Sequence, residues 1–504
     1  MQRSAISYQL SALWLMVTCA VPLAAQGASP YLPVQHWATP YVEHLIARGR
    51  MADPSPLTRP LKTADVVRAL SEVDTLTLTR GERRVVRAII ADLSQRERGP
   101  WGRLDVHAGV AGASFDNEDV VRPVGPGHAT FSGGLALTAG FGPVVAVTHP
   151  YFDTRLKFDP FFHGKKDRVI AGRNAEAYLS GQWQYGEAFF GSLDRNWGPA
   201  PLQGLEVSPA PYSYDHFGLA IGTKSVRLEG LIAQLDTLSD TSGTANNRYF
   251  VSHRLLVRPP GRTTIALWEG NVQASTNQGL SFSLINFLTL GLLQQYDEQT
   301  KTNSQLGLDV QTGFGTVTVF GSLLLDDIQV DKGGAGNAEP ASYGLTVGGQ
   351  GPLGPAAWTA FYTRVTNLTY RTPNPAEAVM RLGVGLGRNY SDYDQLTLRG
   401  SLLTGPSVLV TPEATLIRQG QGDFRLPYPP VAAYPTTPGF LAGVVERTVR
   451  LACGVQLDRG PIGITGNGGV HLISNADHIT GNDKTQWVGT IAMTVRLHWE
   501  SALP

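Results

Sequence analysis

Disulfide chemistry, charge and long apolar runs are all scarce in this chain. Two cysteines, Cys19 and Cys453, occur in 504 residues. Cys19 lies in an N-terminal leader, so one thiol remains and no internal disulfide framework can form. Stability must come from backbone pairing and packing. Charged residues make up 16%, below the roughly 25% of soluble domains. Basic and acidic residues number 41 each, for a net charge of +0, so there is no basic footprint for nucleic acid. No segment after the leader reaches the ~18 uninterrupted apolar residues of a spanning helix, and mean hydropathy is −0.08.

What is present is alternation. Residues 487–499 read WVGTIAMTVRLHW. Trp487, Ile491, Met493, Val495, Leu497 and Trp499 share one face, and Thr490, Thr494, Arg496 and His498 the other. Such a strand suits an outer membrane: apolar toward lipid, polar toward a lumen, aromatic at both interfaces. A barrel satisfies its backbone between strands and needs only every second side chain apolar. The 57 glycines, 9 Trp, 17 Tyr and 18 Phe fit that design. A soluble sandwich or propeller would show clustered apolar cores and no aromatic-ended strands.

The first residues read as a secretory signal peptide over 1–28. Arg3 gives a positive start, Leu10 to Leu23 a short apolar core, and Ala24, Ala25 and Ala28 small residues for cleavage. Residues 16–18 before Cys19 fit a lipoprotein cleavage site poorly. Residues 29–98 then form a helical module, expected on the periplasmic side. Thr39-Pro40 reads as an N-cap with Pro at the first helical position, and Gly49 as a C-cap. Thr63 reads as the cap of a second helix carrying Val66, Ala69, Leu70 and Val73. Thr79 with Glu82 forms a capping box opening a third, with Val85, Val86, Ile89, Ile90 and Leu93 inward.

Residues 101–504 form the expected barrel. Short alternating runs punctuated by Gly, Pro, Asn and Asp predict a large antiparallel transmembrane β-barrel of about 16–20 strands, with 18 the best fit. Clear cases are Val317, Val319, Gly321, Leu323 and Leu325, and Leu396, Leu398 and Leu402 against Gln395, Thr397, Arg399 and Ser401. Segments 237–248, 332–340 and the Pro-rich 425–439 read as longer exterior connections. Residues 279–299 are apolar on both faces and fit a strand against a plug, a luminal helix, or two strands with a tight turn. The four residues after Trp499 and Glu500 would separate the final aromatic from the terminus. Cys453 reads as a small apolar residue within an alternating segment.

Several segments resemble the Wzi capsule-assembly family of outer-membrane proteins. GSLDRNWGPAPLQGLEVSPAP (191–211) is similar to that family's strand ending in Arg followed by W-G-P-G; Arg195, Trp197, Gly198 and Pro199 match, and Ala200 departs. RYFVSHRLLVRP (248–259), the stretch 305–331 with Leu325-Asp326-Asp327, FYTRVTNLTYRT (361–372) and GLGRNYSDYDQLTLR (385–399) also resemble it. So does PVQHWATPYVEHLIARGRM in the helical module. The resemblance implies a bacterial outer-membrane barrel, with lipid around it, that binds capsular or extracellular polysaccharide as a lectin-like anchor, not an enzyme, and acts as a monomer without cofactor or metal. The module with its downstream PLKTADVVRAL is also similar to a single S-layer-homology repeat, which supports the alternative of a general diffusion porin tethered to the cell wall.

Trp197 could stack on a sugar while Asp194 and Arg195 bond hydroxyls or carboxylates; structurally, W-G-P reads as a strand-to-turn corner. Tyr428 and Tyr434 are the loop aromatics placed at the polysaccharide. Asp326-Asp327 reads as solvated or salt-bridged, with cation binding the sharper option. Asp309, Glu413, Arg399 and Arg450 fall on polar strand faces, as luminal charge pairs or a selective eyelet. Asp236, Asp240, Asn246 and Asn247 lack the spacing of a calcium loop. GVGLGRN (383–389) reads as part of a strand. There is no G-x-S-x-G and no H-E-x-x-H.

Overall fold

The computed structural model describes residues 27–94, 99–114, 129–200, 202–209, 212–297, 302–327 and 339–504. Residues 1–26, with Cys19 and most of the expected signal peptide, lie outside them, as does most of the 332–340 connection.

Eighteen antiparallel strands close into one barrel. They are β1 Trp101–Ala113, β2 Ala129–Phe141, β3 Val144–Asp153, β4 Ala171–Trp183, β5 Gly186–Ser192 and β6 Asp215–Gly222. Next come β7 Val226–Gln234, β8 Ala245–Val257, β9 Thr263–Ser275, β10 Thr302–Phe314, β11 Val317–Asp327 and β12 Ser342–Leu353. The last are β13 Ala356–Val365, β14 Tyr393–Thr404, β15 Val408–Gln419, β16 Glu446–Arg459, β17 Ile462–Ser474 and β18 Lys484–Ala502. Each pairs with its sequence neighbours, and β18 closes on β1 with Trp499 opposite Leu104 and Ala502 opposite Trp101. The residues after Trp499 are thus no loose tail: Glu500 to Ala502 complete the closing ladder.

The two rims differ. At one rim every connection is short, and four turn on Gly-Pro. Gly142, Gly354, Gly405 and Gly460 have φ of +57°, +55°, +57° and +59°, and each is followed by Pro, as in a hairpin with Gly at its first central position. At the other rim the connections are long, and several fold back into the barrel.

The alternation is borne out on the outer wall. Leu396 and Leu398 are 54% and 56% exposed while Thr397 between them is 1%. Phe131, Leu267, Trp487 and Trp499 also face outward, and so does Cys453. Inside, the expectation of a purely polar face needs correction. Phe250, Val272 and Leu324 point inward and are fully buried, because folded-in connections give them an apolar partner.

The helical module comprises α1 Thr39–Ala47, α2 Thr63–Ser71 and α3 Arg80–Leu93. The capping box is present: Thr79 N donates to Glu82 Oε2 at 2.7 Å and Glu82 N to Thr79 Oγ1 at 3.2 Å. Gly49, at φ +66°, ends α1, with Arg50 N donating to Leu45 O and Gly49 N to Ile46 O in a Schellman arrangement. Two caps differ from the sequence expectation. Thr39 is already helical, behind Ala38, and its hydroxyl donates to Pro33 O. Thr63 is likewise helical; Ala64 N instead donates to Ser29 Oγ at 2.9 Å, a cap from a distant residue.

Leu45, Val66, Leu70, Val85 and Ile89 form the module's core together with Leu409 of the barrel wall. Each such side chain contributes about 1.5–3 kcal/mol by burial, so part of the module's stability depends on docking. Polar contacts fix it at the short-turn rim. Tyr41 donates its hydroxyl to Ser407 O at 2.7 Å, Arg48 Nη1 donates to Gly354 O and Ala356 O, and His44 Nδ1 and Ser401 Oγ share a bond of 2.8 Å.

Residues 279–299 hold two short helices, α4 Phe282–Ile285 and α5 Gly291–Asp297. They fold against the inner wall: Glu269 accepts from Gly291 N at 2.8 Å, and His253 Nε2 bonds Leu284 O at 2.9 Å. Of the three options, the luminal helix is closest. Segment 383–389 is not a barrel strand; Val384–Gly385 pairs with Met380–Arg381 inside the long connection 366–392.

Candidate functional site

The sequence singled out Asp194, Arg195 and Trp197, and the structure places all three in a luminal plug, Asp194 and Trp197 buried and Arg195 partly so. After β5 the chain turns inward and crosses the lumen. Asn196–Trp197 pairs with Thr58–Arg59 of the module at the opposite end. Gly198 N donates to Leu57 O at 3.0 Å and Trp197 N to Val207 O at 3.0 Å. Asn196 locks the turn, donating from Nδ2 to Leu202 O and accepting from Gly204 N, both at 2.7 Å. A Cβ on Gly204 would stand 2.0 Å from Trp197 O, so only glycine permits this approach.

Trp197 is 5% exposed, with the Arg254 guanidinium 5.2 Å from its ring. Arg195 donates to His216 Nε2 at 2.7 Å and lies 4.3 Å from the Phe189 ring. Asp194 accepts from Gln35 Nε2 at 3.1 Å. These residues knit the module to the plug, and the strand-to-turn corner is the reading their burial favours.

Trp197, Leu205, Val207, Phe250, Trp268, Leu324, Tyr370, Val379 and Phe424 form one apolar cluster within the barrel. Buried Arg248 fastens the 366–392 connection by donating to the carbonyls of Ala376, Ala378 and Met380. Asp326 on β11 does the same, accepting from Tyr370 N at 2.6 Å and from Gln305 Nε2 at 2.9 Å. Its role is thus to hold a loop, not to pair with a luminal arginine. Glu206, fully buried in the plug, accepts from the Ser252 hydroxyl. Burial pushes its carboxyl well up, and Ser252 and Arg254 offset this only in part.

The luminal charge pairs expected from the sequence are present. Arg399 and Arg450 meet Glu413 at 2.7 and 3.2 Å, and Arg254 lies 3.8 Å from Asp309. The calcium set does not converge. Asp236 accepts from Leu382 N, Asp240 accepts from Ser242 and Thr244 in its own turn, and Asn246 donates to Thr244 O.

Tyr428 and Tyr434 lie together on the long connection 420–445. Their rings are edge to face at 6.3 Å and 85°; Tyr428 is half-buried and Tyr434 7% exposed. Beside them Leu426 and Val431 are open to solvent. Asp392 holds this connection down, accepting from Gly422 N, Leu441 N and Ala442 N at 2.9, 2.6 and 2.9 Å. A Cβ on Gly420 would meet Asp392 Oδ2 at 2.0 Å. Arg371 braces Pro427 O. No sequence signal pointed to Asp392. Arg248 and Arg254 did leave a trace: each sits at an inward position of an alternating strand, where a buried cation needs partners.

No protein-family model and no curated protein matches the sequence. Solved structures do match in fold. Wzi, an outer membrane protein involved in group 1 capsule assembly in Escherichia coli and a carbohydrate-binding β-barrel, aligns at TM-score 0.62 and 13% identity over 92% of this chain and 97% of its own. OprD of Pseudomonas aeruginosa aligns at 0.44 and 9%, over 80% and 97%. A BenF-like porin from Pseudomonas fluorescens Pf-5 aligns at 0.45 and 11%, over 79% and 99%. This chain is an outer-membrane-type β-barrel with the fold of Wzi.

Proposed function

We propose that this barrel holds surface polysaccharide at the bacterial outer membrane and helps assemble or retain a capsule, as a lectin-like anchor without catalysis. The observation that carries it is the plug. Outer connections fill one side of the lumen with a continuous apolar core, which a diffusion pore has no use for and a rigid binding platform needs. The carbohydrate-binding neighbour in fold space supports the same reading.

In this reading the short-turn rim and its helical module face the periplasm, following the usual orientation of such barrels, and the long connections face out. Tyr428 and Tyr434, with the apolar Leu426 and Val431 beside them, form the contact surface. Asp194, Arg195 and Trp197 hold the platform beneath it. The protein acts as a monomer.

The test is equilibrium binding of detergent-folded protein to polysaccharide extracted from its host. Saturable binding that weakens on Tyr428→Ala and Tyr434→Ala supports the anchor. A steady large conductance in planar bilayers with no polysaccharide binding would favour the tethered porin.

A further inference from the structure

The plug fills only one side of the barrel. Along β1–β4 and β16–β18 a cavity of about 1610 Å³ remains, above the ~300–1,000 Å³ of an ordinary small-molecule pocket. Its two ends differ. At the short-turn rim it is lined by exposed residues of the module, among them Ala64, Arg68 and Ala88. At the long-loop end it meets the Leu156–Phe158 turn and Tyr212, where Tyr212 donates to Asp159 and packs edge to face on Phe162 at 6.1 Å. Among the described residues it is a vestibule open at the module end and capped at the other.

Its wall is chemically specific. β3 carries a register shift against β4 between His149 and Pro150, an irregularity of the kind that re-aims a side chain. His149 Nε2 is buried with no hydrogen-bond partner, and so is Nε of Arg173 on the next strand. His107 stacks on Tyr151 at 5.8 Å and meets His149 edge on at 5.3 Å. Arg173 lies 4.8 Å from the Tyr212 ring. Gly134 leaves the space: a Cβ there would stand 2.2 Å from His107 and 3.1 Å from His149 Nε2. Buried polar atoms left without a partner are costly, so this wall favours an occupant with hydroxyls. The charge balance selects among such occupants. Five arginines and seven carboxylates line the cavity, several of them paired with one another, a mixed and nearly balanced wall that gives a polyanion no net attraction and offers donors and acceptors alike.

We propose that this vestibule is a binding site for an uncharged saccharide segment entering from the module side, with His149, Tyr151, Arg173 and Tyr212 at its inner end. The inference rests on the polysaccharide reading above and adds a second, internal site to it. Aromatic rings take the apolar faces of the sugar, and the Arg and His nitrogens take its hydroxyls.

The test uses residues 29–504, without the leader and its Cys19, carrying Cys453→Ala and a single new thiol, Ala88→Cys, at the mouth. The folded protein is titrated with maltoheptaose, a neutral linear oligomer, and with an oligogalacturonate of equal length, before and after alkylation by a bulky maleimide. The expected result is saturable maltoheptaose binding, at least tenfold tighter than the acidic oligomer, that disappears on alkylation and weakens at least tenfold in His149→Ala. Because alkylation follows folding, loss cannot come from misassembly. Maltoheptaose binding that survives alkylation, preference for the acidic oligomer, or no maltoheptaose binding overturns the vestibule. Host polysaccharide still bound by the alkylated protein leaves the outer anchor standing; its failure to bind unmodified protein that does take maltoheptaose overturns the anchor alone.

Discussion

Trp197 and Thr58 stand opposite each other in a two-residue antiparallel ladder, although one belongs to a connection from the long-loop rim and the other to the module at the short-turn rim. The lumen is therefore crossed by continuous hydrogen-bonded protein. Truncating the buried indole in Trp197→Ala should cost about 3–5 kcal/mol. Its effect should appear as faster proteolysis of residues 193–214 and of the module, with the barrel strands still protected. Equal protection of the plug in mutant and wild type would refute this.

Arg248 supports three carbonyls of the 366–392 connection. Arg248→Leu leaves them without a donor inside the lumen, a loss of about 3–5 kcal/mol. Hydrogen exchange should quicken across 376–380 while β8 stays protected. A variant with unchanged exchange there would show that the loop is held by other contacts.

At the outer surface, Tyr428→Ala combined with Tyr434→Ala should weaken polysaccharide binding at least tenfold, about 1.4 kcal/mol. Tyr434 is 7% exposed, so Tyr434→Ala also loosens the 420–445 connection, while thermal unfolding of the barrel itself should change little. Unchanged affinity would move the contact surface elsewhere.

Docking of the module should depend on pH through His44. Burial lowers its pKa to about 4, with Glu82 and Arg48 the charges that face it; undocked, it titrates near ~6.5. Between these values the undocked state binds more protons, so docking weakens as pH falls from about 6.5 to 4, by up to about 3 kcal/mol. Glu82, whose carboxyl is held below its usual value by Thr79 and Arg48 against the cost of burial, adds a further loss only below about pH 4.5. Protease release of the module at pH 4.5 but not at pH 7 is expected, and His44→Asn should shift release to lower pH. Release independent of pH would rule out this control.

The outward assignment of β14 can be tested at Leu398. An arginine there meets lipid near mid-membrane and should destabilise the folded barrel by about 2–4 kcal/mol. The same change at half-exposed, lumen-facing Ser401 should cost less. Equal folding of both variants would reject the register.

The periodicity of two was legible because a barrel in lipid demands an apolar side chain at every second position, whatever lies inside. That rule exposed the lipid face of Leu396, Leu398 and the β18 residues, and the length of the alternating region bounded the strand number at about 16–20. Caps set by neighbours in sequence, such as Thr79 with Glu82, were legible for the same local reason. The cap that Ser29 provides to α2 was not, because its partner lies 35 residues away. Nor was the fate of Trp197: the same W-G-P motif fits an exposed sugar platform or a buried corner. The folding of the 193–214 connection into the lumen decides between them.

Sequence alone thus determined the wall of this barrel, since each strand's pattern answers to lipid on one side and needs no knowledge of its partners. Only the tertiary structure decided its interior. Which connections turn inward, where they meet the module and what space they leave along β1–β4 depend on contacts such as Asp392 with Ala442 and Arg248 with Ala378, between residues far apart in the chain. Those contacts exist only once the wall has closed and brought its loops together.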